Sequence, residues 1–419
     1  MNRSRRDFLK RTLGGATLMS LGPAVPGLWA RSARAAADAA DRRDTVLVVL
    51  QLSGGNDGLN TVVPYADDEY GRKRKTLRLT GSEVHKIDDT LGFHPDTQGF
   101  ARLFNEGTLS VVQGVGYPKS DRTHPGAMRN WHTARPGEVN CPTGWLGRAV
   151  DGYWQPGERD LPGVFVGPIP RPFALNAERA VVPAIRAPRE LTLRKAGPDA
   201  AAHYRRLLAA AEKEPADKHN PLAEMVRRST VAAHAASRQV EAAVRAAGPG
   251  ADYPPYQLAA TLGTVATLIR ARVGIRIFLT ELGGGGIGGF DNHANQRDNH
   301  AALLKQLSES VAAFVADLAR DEQLDRVVLM TFSEFGRTLT ENGRRGTGHG
   351  AAQPILLAGG KLRGGLVGAH PSLTDLDQDA PKHHTDYRRL YATMLETWLG
   401  LDAAAVLGKR YEPLELFRA

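Results

Sequence analysis

Residues 45–52 read TVLVVLQL, a nearly unbroken run of β-branched residues and leucine, and the turn SGGNDGLN follows at once. A run of this length is too short for a stable helix. Its lack of alternation marks a strand buried on both faces, as in a parallel sheet covered on both sides. The rest of the chain must therefore supply more parallel strands and the helices that cover them. Further strands are expected at Leu109–Gln113, at 273–281 (VGIRIFLTE), at 326–332 (RVVLMTF) and at 354–359 (PILLAG). Helical patterns fall between or after them, at His124–Thr133, Asn295–Arg320 and Thr385–Leu399. Strands alternating with helices imply an α/β domain with a mostly parallel central sheet and helices on both faces.

Two segments stand outside this pattern. Pro198–Ala247 is rich in Ala, Arg, Glu and Lys, with apolar positions at helical spacing. It reads as a helical insertion at about 196–250 between early and late core strands. The first 35 residues open with Ser4-Arg5-Arg6-Asp7-Phe8-Leu9-Lys10, continue through an apolar stretch broken by Gly14, Gly15, Gly22, Pro23, Pro26 and Gly27, and end in small residues. This is the pattern of a twin-arginine (Tat) signal peptide, with cleavage expected after Ala35. The apolar stretch is too weak and broken for a stable transmembrane anchor. Residues 36–44 then form a linker to a domain over 45–419. The expected location is periplasmic or secreted, with the Tat translocase as a partner during export.

The signal also accounts for most of the charge. Residues 1–35 hold seven of the 54 Lys/Arg and one of the 45 Asp/Glu, which leaves 47 basic against 44 acidic residues and a charge of +3 instead of +9. With 6% aromatic residues and no aromatic–basic interleaving, nucleic acid is not an expected partner. The single cysteine, Cys141, permits no disulfide within the chain.

In an open parallel sheet, functional groups gather beyond the carboxyl ends of the strands. Four polar clusters fall there: Ser53–Asp57, Ser120–His124, Asp291–His293, and Ser333–Arg337 with Gly346–Gly350. Carboxylates and imidazoles meeting from several loops suit a divalent metal such as Zn, Mn, Mg or Ca. Asp57, Asp291, His293, Glu334 and His349 are the candidate ligands. Each has a plainer reading. Asp57 could cap its glycine-rich turn; the others could be structural polar residues at strand ends. Thr123 before a helix is either an N-cap or a nucleophile at a site that favours anions. Arg122 and His124 could bind an anionic substrate or be solvated loop residues, and His94 is divided between turn structure and site. The glycines at 283–289 formally contain GxGxxG but lead into Phe290-Asp291 and not directly into a helix, so dinucleotide binding is not expected. No GxSxG elbow occurs.

LVVLQLSGGNDGLNTVVP (47–64), LSVVQGVGYP (109–118), FDNHANQ (290–296), VVLMTFSEFGRTLTENG (327–343) and GTGHGAAQPILLAGG (346–360) resemble the DUF1501 family, Tat-exported proteins grouped with the alkaline phosphatase–sulfatase superfamily. The resemblance spans essentially the whole chain after the signal. It implies an alkaline phosphatase-like sandwich and a metal-dependent hydrolase of phosphate or sulfate esters. By position, Asp57 resembles the first metal-binding Asp and Thr123 the nucleophile. Asp291 and His293 resemble the middle ligand segment, Glu334 stands at the late Asp-His pair, and His349 resembles the final histidine. Arg122 or Arg337 would clamp the anionic group of a small-molecule or glycan ester. A partner encoded nearby is also implied. The departures are specific. Ser53 or Gly54 occupies the usual first-ligand position, the late pair reads Ser333-Glu334, and Gly348 replaces the usual Asp before the final His. One metal is then expected in place of two. The alternative is a non-catalytic exported binding or assembly protein with a degenerate site.

Overall fold

A computed structural model describes residues 44–153, 162–185, 227, 251–284 and 289–418. The expected signal peptide, the linker up to residue 43 and, Arg227 excepted, the helical insertion lie outside the described residues. The central sheet contains β1 (Val46–Leu52), β2 (Leu109–Gly116), β3 (Gly163–Val166), β4 (Ala184–Ile185), β5 (Ile277–Leu282), β6 (Val327–Ser333), β7 (Gln353–Gly359), β8 (Gly365–Val367) and β9 (Thr385–Asp386). Their spatial order is β8-β2-β7-β6-β1-β5-β3-β4, with β9 also paired to β2. Only β7 runs against the others, pairing antiparallel with both β2 and β6. β1 lies between β5 and β6, parallel to both. The structure is therefore α/β with a mainly parallel central sheet.

The uniform apolarity of β1 follows from its position. Successive side chains in a strand point to opposite faces. Val46, Val48, Leu50 and Leu52 enter one core, while Leu47 and Val49 enter the other. The strands beside it divide in the same way, Phe278 against Leu279 on β5 and Leu329 against Met330 on β6. Full burial of each such side chain contributes on the order of 1.5–3 kcal/mol. No position in β1 can then be polar until the strand reaches its carboxyl end.

Helices cover both faces. α1 (Gln98–Asn105), α4 (Gln257–Arg270) and α5 (Gln296–Arg320) pack on the first core, and α2 (His124–Thr133) and α3 (Trp145–Tyr153) on the second. α6 (Tyr387–Ala392) joins that second layer and runs on into a π-helical segment, Thr393–Leu399. The closing helical pattern thus exists but begins two residues later, after Asp386 has paired in β9 and capped α6 through its side chain. Among the described residues no helix is long and apolar enough to cross a membrane.

Candidate metal centre at the carboxyl edge of the sheet

Three neighbouring parallel strands deliver the site. β1 ends into Ser53–Gly54–Gly55, β5 into the glycine-rich segment that leads to Asp291, and β6 into Glu334. Gly54 adopts φ +118°, and a Cβ there would lie 2.4 Å from the Asp291 backbone nitrogen. Only glycine lets the first turn approach the Asp291 segment so closely. The Gly54 N–H donates to both Glu334 carboxylate oxygens, at 2.9 and 3.0 Å, and the Phe290 N–H donates to the Ser53 carbonyl at 3.0 Å. A hairpin of Arg337–Glu341 with Thr347–His349 sets Arg337 opposite His349.

On this frame His124, Asp291, His293 and His349 converge, with one ligand atom from each lying within 4.8 Å of the others. The Asp291 Oδ1 is 3.0 Å from His293 Nε2 and 3.4 Å from His349 Nε2, and its Oδ2 is 3.4 Å from His124 Nε2. Ligand atoms around a tetrahedral zinc at 2.0–2.1 Å stand about 3.3 Å apart, so these spacings fit one ion.

The hydrogen bonds behind the rings give a stronger argument. His293 Nδ1 lies 2.9 Å from the Thr347 carbonyl and His349 Nδ1 lies 2.7 Å from the Arg122 carbonyl. A carbonyl only accepts, so both Nδ1 atoms donate. His124 Nδ1 donates likewise to Glu334 Oε1 at 2.9 Å. In the neutral rings every Nε2 then carries a bare lone pair, and all three point toward Asp291. The Nε2 atoms of His293 and His349 are 2.8 Å apart. Two lone pairs at that distance repel unless a cation lies between or beside them. An outward Nε2 fixed by a carbonyl or carboxylate on Nδ1 is the usual arrangement of metal-binding histidine. The His/Asp cluster could hold a metal.

The electrostatics agree. The hydrogen bond to Glu334 raises the His124 pKa above its usual value, while burial lowers that of His349. Burial would raise the Asp291 carboxyl, but a 2.8 Å bond from Arg337 and its charge hold it low and ionised. Beside the cluster opens a cleft of about 680 Å³, lined among others by Ser53, His124, Asn292, Asn295, Asn299 and Glu334.

The remaining candidates sit elsewhere or do something else. Asp57 is buried away from the cluster, bound by Arg74 at 2.5 and 3.0 Å, and caps the 3-10 turn Gly58–Asn60 through the Leu59 N–H. Glu334 is not within the ligand cluster but braces His124 and the Gly54 turn. Thr123 caps α2, accepting from the Gly126 N–H, while its hydroxyl donates to Asp121 at 2.7 Å. The Arg122 side chain binds Asp377 at 2.8 Å. Arg337 is buried behind Asp291, with Nε on the Gly55 carbonyl at 2.7 Å. His94 is a buried turn residue whose Nδ1 accepts the Asp96 N–H, and burial pushes its pKa down to about 4. His124, read from the sequence as substrate-binding, lies within the cluster. Sequence reasoning passed over Glu281, a carboxyl one residue before the end of a buried run. Burial there, reinforced by Glu334, raises its pKa to about 7.

Among curated proteins none matches the sequence. Solved structures with similarity include the lipoteichoic acid synthase LtaP from Listeria monocytogenes (8% identity, TM-score 0.41, 87% of this chain and 76% of that one). The C-terminal periplasmic domain of EptC from Escherichia coli, in complex with Zn, is 10% identical (TM-score 0.34, 75% and 73%). The alkaline phosphatase from the Antarctic bacterium TAB5 is also 10% identical (TM-score 0.30, 75% and 92%). The family model described as "protein of unknown function (DUF1501)" matches residues 44–412, and the chain belongs to that family.

Proposed function

We propose that the protein is an exported hydrolase of phosphate or sulfate esters that works with one divalent metal ion held by His124, Asp291, His293 and His349. The observation that carries this reading is the shared tautomer: three imidazoles with Nδ1 engaged and Nε2 free, aimed at a carboxylate that Arg337 keeps ionised. A divalent ion there would supply Lewis-acid stabilisation of charge developing on the ester oxygens. Glu334 and the carbonyls of Arg122 and Thr347 hold the rings in place. Thr123 fixes the start of α2 and with it His124. Arg337 serves Asp291, and the Arg122 side chain is anchored outside the cleft, so neither supplies the anion clamp in this reading.

The cleft supports a glycan or other polyhydroxyl ester. Three asparagines line it, and its described lining contains no lysine or arginine. Amide groups both donate to and accept from hydroxyls. Export through the Tat route places the reaction in the periplasm or outside the cell.

Metal analysis of the purified chain lacking residues 1–35 is the direct test, followed by a panel of aryl and sugar phosphates and sulfates with Mg, Mn, Zn and Ca. One retained ion per chain and metal-dependent turnover are expected. Protein that retains no metal and turns over nothing would favour the non-catalytic binding role.

A further inference from the structure

Ser53 is the first residue beyond β1, and it faces the same cleft as His124 and Asp291. Its backbone is locked on both sides: its N–H donates to Leu282 at 2.9 Å and its carbonyl accepts from Phe290 at 3.0 Å. The side chain is equally constrained. Gln51 Nε2 donates to Ser53 Oγ at 2.8 Å, which turns the Gln51 Oε1 toward His132 Nε2 at 2.7 Å. Burial keeps His132 neutral, with its pKa down to about 3, so its Nε2–H donates to Gln51. The chain of donors thus runs His132 to Gln51 to Ser53. One lone pair of the serine oxygen accepts from Gln51, and the Ser53 hydroxyl is a hydrogen-bond partner of the Glu281 carboxyl. Glu281 stands opposite Gln51 in the β1–β5 register and is buried. Its Oε1 accepts from the Gly284 N–H.

We infer that Ser53 is the nucleophile of this cleft and Glu281 the base that takes its proton. The inference rests on reading the cleft as a hydrolase site. As Ser53 Oγ bonds to phosphorus or sulfur, its proton moves to Glu281 and the bond to the leaving alkoxide breaks; the alkoxide takes a proton from solvent. Water then attacks the seryl ester and releases one proton to solvent. The Oγ bond breaks, and Oγ recovers its proton from Glu281. A base is most effective when its pKa lies near the working pH, and Glu281 meets that condition for two reasons. Burial in the sheet raises its pKa, and the charged Glu334 from the end of β6 adds to this. His132, from α2, is uncharged and leaves that balance unaltered. The Thr123 hydroxyl, in contrast, donates to Asp121 and accepts from Gly126, and lies outside the cleft lining.

The test does not need the natural substrate. Purified protein is treated with a fluorophosphonate, which transfers phosphorus to an activated hydroxyl with loss of fluoride, and the labelled peptide is located by mass spectrometry. Label is expected on Ser53, with a rate that rises through about pH 7 in the wild type. Glu281→Gln should slow labelling about 100-fold or more, the lower range for a positioned base, and S53A should abolish it. The wild-type pH profile stands even where a variant fails to fold. Label on another residue, no label, or an unchanged rate in E281Q overturns the pair. Metal analysis of the same sample separates the two claims. Metal-bearing protein without label at Ser53 sinks this inference alone, and labelled, metal-free protein sinks the metal reading alone.

Discussion

Asp57 and Asp291 each follow a buried strand through glycine-rich chain, and from the sequence each is an equal candidate for a ligand. Their surroundings set them apart. Asp57 is 2% exposed and receives four donors: two nitrogens of the Arg74 guanidinium, the Leu59 N–H and the Gln296 amide. A carboxylate has about four lone-pair sites, so this one has none left. Asp291 has a side chain 44% exposed, one firm partner in Arg337 and three imidazole Nε2 atoms in front of it. The histidines differ in the same sense. His300, near Asp57, donates from Nε2 to Asn56 at 2.9 Å and is kept neutral by burial, with a pKa of about 3. His124, His293 and His349 have the opposite tautomer. A carboxylate saturated by its own chain holds the fold together, while one with unpaired nitrogens before it can take an ion.

The contrast breaks most directly at Arg74. Removing one partner of a buried ion pair leaves the other charge stranded, at about 3–5 kcal/mol. Arg74→Met should lose that much stability in urea denaturation and keep its metal. A loss below about 1 kcal/mol would mean that Asp57 is not structural. The pH dependence adds a sign. Burial would raise the Asp57 pKa, but Arg74 overrides it and holds the carboxyl below the usual aspartate value. In the wild type the stabilisation is present above about pH 4, the unfolded value, and is lost as pH falls through the lower folded value. In Arg74→Met the largest force opposing burial is gone, burial outweighs the remaining Gln296 hydrogen bond and raises the folded value, so the penalty should shrink as pH falls toward about 4.

The second test falls on the other side of the comparison. His349→Ala removes a bare Nε2 and should weaken metal affinity more than about 100-fold, beyond the range of a merely supporting group. Competition with a chromogenic chelator reads this. Affinity within tenfold of wild type would remove His349 from the centre. Affinity in the wild type should rise with pH through the range where His124 loses its proton, because a protonated ring cannot bind and Glu334 raises that pKa.

The parallel sheet was legible because burial on both faces leaves an unmistakable mark, eight residues without a charge at 45–52. The cluster was legible in part, since Asp291, His293 and His349 stand just past strand ends. What decides between Asp57 and Asp291 is not local. Arg74 comes from 17 residues away and Gln296 from 239, and neither is linked to Asp57 by any periodicity. Glu281 was hidden differently: it sits inside the apolar run that identifies β5, where a carboxyl looks like the strand's polar end. Ser53 stood in plain view just past the first strand, yet its partners Gln51 and Glu281 come together only through the β1–β5 register.

Smaller effects sharpen the comparison further. Glu334 is saturated like Asp57 but serves the metal side, bracing His124 and the Gly54 turn. Glu334→Gln should cost about 10–100-fold in metal affinity, the range of a supporting partner, as read by the same chelator competition. A loss as large as that of His349→Ala would make Glu334 a ligand.

Thr123 gives the smallest effect and divides two readings of one hydroxyl. As the cap of α2 it is worth about 1 kcal/mol, and Thr123→Ala should lower stability by that amount in urea while metal content stays the same. As the nucleophile implied by the family resemblance, its loss would remove turnover far beyond any fraction of protein unfolded. The geometry favours the cap, because the hydroxyl already donates to Asp121 and accepts from Gly126. Ser53 differs in the one respect that matters for attack: it lines the cleft, and its hydroxyl is a hydrogen-bond partner of a buried carboxyl with a pKa of about 7. Comparing turnover in Thr123→Ala and Ser53→Ala on one shared ester therefore decides which hydroxyl attacks. If Thr123→Ala alone abolishes turnover at full metal content, the nucleophile is Thr123.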